Sequence, residues 1–371
     1  MRARPRGWPR PFALALAFLL ASSFLACAGS RHEGPRSDAA SVTLVGRPLP
    51  ALRAASWSDH AALDSIAGHA TVVAFVSFDL PGSLRVLPAL EAWNDAYARY
   101  GVRVLAVHVP AFAFAADSAH SATAARRLGL RFPIGLDSAF EVWRAFGPEA
   151  RTPRVLVAGP DGRVVMDQER AAAIPEAERW IRDLVQRTHP RVRFPRAAVA
   201  SAVDPEAQEH PAVHLGRARV ESGPLRAAET GRVANFTAQL RYQVEGDLYT
   251  PYPVGRWIPA ADGLTAARGG AENFVALRYD AGALGAVLGP AETGPVRVWV
   301  LRDDRWLARE DAGADVQFDG RGASFVMVTE PRLYALTRES KGGHVAKLSP
   351  DQPGATIYAL TFVPFGDDEK P

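Results

Sequence analysis

The run Thr71 to Phe78 (TVVAFVSF), followed by Pro81-Gly82, constrains this chain more than any other segment. It is continuously apolar and β-branched where a half-exposed strand would alternate. It therefore reads as a central strand buried on both faces, which requires helices on either side of a sheet. A helix follows at once. Leu84, Leu87, Leu90, Trp93 and Tyr97 recur at three- and four-residue spacing, Ser83 is placed to cap it, and Pro88 should kink it. Val102 to Val109 repeats the buried-strand pattern, and Ala122 to Leu128 gives a short helix. Val155 to Ala158, the turn Pro160-Asp161-Gly162 and Arg163 to Met166 read as a hairpin, with Pro175 to Arg187 as an amphipathic closing helix. The order predicts an α/β domain over 42–187.

The texture changes at 188–209, where Pro190, Pro195 and Pro205 and scattered arginines lack periodicity, as expected of a linker. Beyond it the pattern is short strands: Phe236 to Val244, Phe274 to Tyr279, Val296 to Leu301, Ser324 to Val328, Leu333 to Thr337 and Thr356 to Val363, divided by Gly, Pro and Asp turns. Strands with almost no helical period predict an all-β sandwich over 210–366. Trp257 reads as core. Trp306, beside Asp303, Asp304 and Arg305 in an expected loop, is the better candidate to stack on a sugar ring.

The first 26 residues combine Arg2, Arg4, Arg6 and Arg10 with an apolar run from Phe12 to Leu20, too short to span a bilayer. They read as a signal peptide. Its end, Leu25-Ala26-Cys27, resembles a bacterial lipobox, so Cys27 is the expected lipidation site and 27–41 a flexible tether. The expected location is the cell envelope, lipid-anchored, at an outer membrane facing the periplasm. The formal charge of +3 rests on the same segment: without its four arginines the 43 basic residues become 39, against 40 acidic ones. That balance gives no reason to expect a nucleic-acid partner.

Several segments carry a family resemblance. Phe75 to Pro88 is similar to the strand, active-site turn and kinked helix of periplasmic thioredoxin-like proteins, with Leu80-Pro81-Gly82-Ser83 over their Cys-x-x-Cys and Asp79 over the preceding Trp. Thr152-Pro153 stands at the family's cis-proline. Val109 to Phe114 and Arg127 to Asp137 resemble the DipZ branch more specifically, with Ala111 in place of a Glu and the glycine-rich stretch after the hairpin missing. So do Pro211 to Gly216, Gly255 to Trp257, Gly313 to Val316, Arg332 to Tyr334 and Tyr358 to Phe362, which resemble that branch's C-terminal jelly roll, itself similar to carbohydrate-binding modules.

The resemblance implies a thioredoxin-like domain followed by a jelly roll, with Leu80, Ser83 and Pro153 as degenerate active-site positions. It does not bring the chemistry with it. Disulfide exchange needs a thiolate, and the sole cysteine, Cys27, lies in the leader. The multi-helix membrane domain that feeds electrons in the family has no counterpart in these residues. No catalytic residue, metal or cofactor is expected. Ser83 has no His-Asp arrangement nearby, and His210 and His214, four apart on an expected loop and strand, do not converge on zinc.

The expected function is a redox-inactive binding or scaffolding module for an envelope protein or peptide, with Phe78 beside Leu80 and Pro153 as apolar contact surface. Phe112 and Phe114 are candidates for an exposed partner patch, though one of them covers core just as readily. Two alternatives stay open: a redoxin-type participant in envelope thiol-disulfide exchange or cytochrome c maturation that uses a partner's cysteines, and a carbohydrate-binding envelope protein.

Overall fold

Strand β2 (Thr71–Val76) lies in the middle of a six-stranded sheet, and its side chains show why the apolar run has no gaps. Val72, Ala74 and Val76 enter one core while Val73 and Phe75 enter another on the opposite face, all five fully buried. Each of the three valines and Phe75 contributes about 1.5–3 kcal/mol by leaving water. The computed structural model describes residues 43–54, 56–59, 66–147, 151–170, 173–194, 210–220, 224–237, 247–338 and 342–363. Cys27, the leader, the tether and 195–209 of the expected linker lie outside them.

The sheet comprises β1 (Ser56–Trp57), β2, β3 (Arg103–His108), β4 (Ile134–Leu136), β5 (Arg154–Ala158) and β6 (Val164–Glu169), in the order β1-β4-β3-β2-β5-β6. Strands β2, β3 and β4 run parallel, while β5 pairs antiparallel to β2, β6 to β5, and β1 to β4. Helices α1 (Pro81–Tyr97) and α4 (Ala173–Thr188) pack on one face through Leu87, Leu90, Trp93 and Ile181; α3 (Glu141–Phe146) packs on the other through Val142 and Phe146. Helix α2 (Ser118–Arg127) begins four residues before the predicted start because the Asp117 carboxylate accepts the His120 N–H at 2.8 Å.

One local expectation is corrected. Leu80, with extended backbone (φ −118°, ψ 130°), is the N-cap of α1 and Pro81 its first residue, so Ser83 does not cap the helix. The Ser83 hydroxyl instead accepts the Ser77 N–H at 2.9 Å, tying the first turn to the end of β2. Helix α1 is a single helix that contains Pro88, which faces solvent, and this leaves the expectation of a kink there as it was.

The remainder is antiparallel β structure. Val316–Phe318, Ser324–Val328, Val296–Arg302, Gly343–Pro350 and Phe274–Asp280 lie side by side in one sheet; Leu264–Ala266, Thr356–Val363, Ala283–Gly289 and Arg332–Ala335 follow one another in a second. Between them sit Trp257, Leu277, Tyr279, Leu288, Val298, Leu348 and Ile357, all buried. Pro251–Pro259 belongs to both sheets. Its first half pairs with Phe274–Asp280 and its second with Leu264–Ala266, the change falling at Gly255 (φ +90°), where a Cβ would collide with Asn273. The chain is therefore an α/β thioredoxin-like region followed by an all-β region. Trp257 is core, as read from sequence. Of the strand expected at Phe236 to Val244, only 236 and 237 are described, Phe236 ending the strand Ala234–Phe236, since 238–246 lie outside the described residues.

Candidate functional site

Parallel strands β2 and β3 end together, and the loops leaving them form the site. Ser77, Phe78, Asp79 and Leu80 carry the chain from β2 into α1, while the Thr152–Pro153 peptide opposite is cis and leads into β5. The structure thus brings the three sequence-designated positions into one region: Leu80 is half-buried, Ser83 fully buried and Pro153 buried. None of them carries sulfur. Phe78 is only 2% exposed and stacks on His108 at 4.3 Å with the rings 4° apart, so it serves the core and offers no contact surface.

Asp79 is the residue that the sequence understated. Its carboxyl is buried, and neither oxygen finds a hydrogen-bond partner. Burial raises its pKa to about 7, because the ionised form loses its water; the field of Arg127 opposes this. His108, at the end of β3, is also fully buried. Burial pushes its imidazole down to about 4, against the nearby backbone of Val76 and Ala115, and its Nε2 lacks a partner of good hydrogen-bond geometry. Ser77 Oγ and His120 Nε2 are buried and unpartnered too. His120 is lowered by burial and feels both Glu330 and Arg127. Such a concentration of unsatisfied groups is unusual in a native interior. The only sequence signal was an acid at the end of an apolar strand, directly before the turn.

Over the turn lies the β-sandwich. Leu80, Ala111 and Phe114 pack from one side, and Ala212, Leu333 and Tyr358 from the other, around a buried cluster of Phe112, Val287 and Ala359. The Tyr358 ring lies 5.6 Å from Phe112 and 4.9 Å from Phe114, and His214 lies 5.7 Å from Phe112. Two polar contacts flank this cluster. Asp262 accepts the Ala113 N–H at 2.6 Å, and Arg127 pairs with Glu330 at 2.5 Å. The aromatic patch read from sequence therefore exists, but its partner is the second half of the same chain.

The cis-proline is held from behind. Arg154, next in sequence, is 2% exposed and gives Asp167 two hydrogen bonds of 2.7 Å, while its Nη1 donates to the Phe146 carbonyl at 2.6 Å. Asp167 also accepts the Leu44 N–H at 2.8 Å. This buried pair is satisfied on both sides.

Trp306 lies on the other sheet of the sandwich, 46% exposed, on a two-residue strand paired with the end of Val296–Arg302. It is 5.6 Å from Trp299, whose neighbour Phe325 lies 5.6 Å away, and the Arg297 guanidinium sits over Trp299 and Phe325 at 5.0 and 4.5 Å. His210 stacks on Tyr249 at 4.0 Å, apart from His214 beside Phe112. Among the described residues no three His, Cys, Asp or Glu side chains gather as metal ligands, and no helix is long and apolar enough to cross a membrane.

These features define a thioredoxin-type α/β domain without sulfur at its turn, covered by an antiparallel β-sandwich. Residues 211–362 match the family described as "Thioredoxin like C-terminal domain". Over 295 residues the chain is 25% identical to Protein DipZ of Mycobacterium bovis and of Mycobacterium tuberculosis, an alignment that takes in 76% of this chain and 38% of each relative. The chain thus spans about two-fifths of the length of these relatives. Among solved structures, a thioredoxin-like protein in its oxidized form is 21% identical, covering 38% of this chain and 95% of its own, with a TM-score of 0.35. A secreted Mycobacterium tuberculosis disulfide oxidoreductase homologous to E. coli DsbE is 17% identical, covering 29% and 73%, with a TM-score of 0.25.

Proposed function

We propose that this chain is a thiol-independent scaffold of the cell envelope, held there by a lipid on Cys27, in which the thioredoxin-type face docks the chain's own β-sandwich. The observation that carries this reading is that Leu80, which the resemblance sets at the position of the attacking cysteine, packs against the cluster of Phe112, Val287 and Ala359. A covered leucine can neither attack a disulfide nor receive one from a partner's cysteine. Phe78 and Pro153, around which a peptide surface was expected, are themselves buried, and Leu80 beside them packs into the cluster shared with the sandwich. The mature protein should not reduce insulin disulfides with dithiothreitol or a thioredoxin reductase system as electron source. Turnover above the uncatalysed background would overturn the reading.

The Trp299–Trp306 pair supports a second role, a sugar platform on the open sheet, because flat aromatic faces suit the C–H surface of a sugar ring. Trp306→Ala should then abolish retardation on envelope polysaccharides in affinity electrophoresis while changing stability by less than about 0.5 kcal/mol. Equal retardation of the variant and the parent would remove that role.

A further inference from the structure

The Asp79 carboxyl is a buried acid without a donor, placed directly before the residue that the β-sandwich covers. Its electrostatic neighbourhood is shared with the contact between the two halves. Arg127, whose field reaches Asp79, is the residue that pairs with Glu330 of the sandwich. Glu330 in turn contacts Arg332, which is anchored on Asp315 at 2.7 Å. A negative charge on Asp79 would therefore be unsolvated where it stands and would compete with Glu330 for Arg127.

We propose that Asp79 is a proton-operated latch: with its carboxyl neutral the sandwich closes over the turn, and with it ionised the contact loosens and uncovers the thioredoxin-type face. This inference rests on the docked arrangement proposed above and adds its regulation.

The other groups facing this region do not supply the switch. His108 of β3 and His214 of the sandwich, both held near 4 by burial, are neutral from pH 5 upward; His120 of α2 is lowered by burial, and its protonation would favour opening as pH falls, the opposite sense. Arg85 of α1 is lowered by burial but, as a guanidinium, stays charged at these pH values. Arg154 beside Pro153 is committed to Asp167, and Asp262 holds the Ala113 N–H. Asp79, poised at about 7, is the group whose burial places its titration in this window. The sign follows from linkage. An acid whose pKa is raised in the closed state and ordinary in the open one favours opening as pH climbs between the two values, by up to about tenfold per unit, and no further above the upper one.

Hydrogen exchange of the full chain from pH 5 to 8, corrected for intrinsic rates, tests this. Peptides covering 109–117 and 356–362 should lose at least about tenfold in protection across the range, while β5 stays protected, and Asp79→Asn should flatten the loss. If those peptides stay protected at every pH, or Asp79→Asn keeps the wild-type slope, the latch is wrong. If they are unprotected even at pH 5, the docked arrangement itself fails. Should Asp79→Asn not fold, the wild-type contrast between these peptides and β5 decides the question, since global unfolding would expose all three together.

Discussion

Two buried aspartates stand on either side of the cis-proline region, and they differ in everything but burial. Asp167 accepts two hydrogen bonds from Arg154 and one from Leu44 N–H; Asp79 accepts none. The first arrangement is what a fold needs when it places a charge inside. The second is a standing cost that packing alone does not explain, and it lies where the sandwich meets the turn. Of these two carboxylates one fixes structure and the other can respond; the domain's remaining buried acids, Asp137 and Glu178, are hydrogen-bonded like Asp167.

The comparison breaks most visibly at Arg154. Arg154→Ala leaves Asp167 buried without its partner and should cost about 3–5 kcal/mol, read as a shift of the urea midpoint of the thioredoxin-like region. A loss below about 1 kcal/mol would mean that the pair is dispensable.

Asp79→Asn should act in the opposite direction. The acid's pKa is raised in the folded state, so its penalty is absent below the unfolded value near 3.9, grows as pH rises towards about 7, and is constant above. The variant should be the more stable protein at pH 8, by up to about 4 kcal/mol, and should converge with the parent near pH 4. Denaturation curves at both pH values measure this, and an equal difference at both would sink it.

The Arg127–Glu330 pair is a smaller matter. Both side chains are about one-third exposed, so a double-mutant cycle with alanine should return about 0.2–1 kcal/mol of coupling. Coupling that vanishes at pH 8 and persists at pH 5 would sharpen the link to Asp79.

Much of the thioredoxin-like half was legible because its signals are local. A gapless apolar strand, a 3.6-residue stripe and a turn Pro-Gly are readable without knowing what they touch. The sandwich was harder. Pro251–Pro259 carries prolines at 251, 253 and 259 and so reads as loop, yet its bend at Gly255 joins the two sheets. Ala283–Gly289 is small and glycine-bearing, but it lies inside the second sheet. At the site, Leu80, Ser83 and Pro153 were found by resemblance, whereas Asp79 was noted only as standing over the family's Trp and His108 not at all. Their meaning lies in missing hydrogen bonds, a property of the folded interior. Phe112 and Phe114 were read as either a partner patch or cover for the core, but the sequence could not say that Tyr358, well over two hundred positions away, would meet them.

The central claim is that the sulfur-free turn is covered by the chain's own sandwich, and thiol labelling tests it most directly. With Cys27 replaced by serine, Leu80→Cys and Trp306→Cys each place one thiol in the protein, the first under the sandwich and the second on the open sheet. The start of α1 favours the thiolate, so chemistry alone would make position 80 the faster to alkylate. At pH 6 the account predicts the reverse, with Leu80→Cys modified at least about tenfold more slowly than Trp306→Cys until denaturant equalises them. Equal or faster labelling at position 80 in the native protein would contradict it.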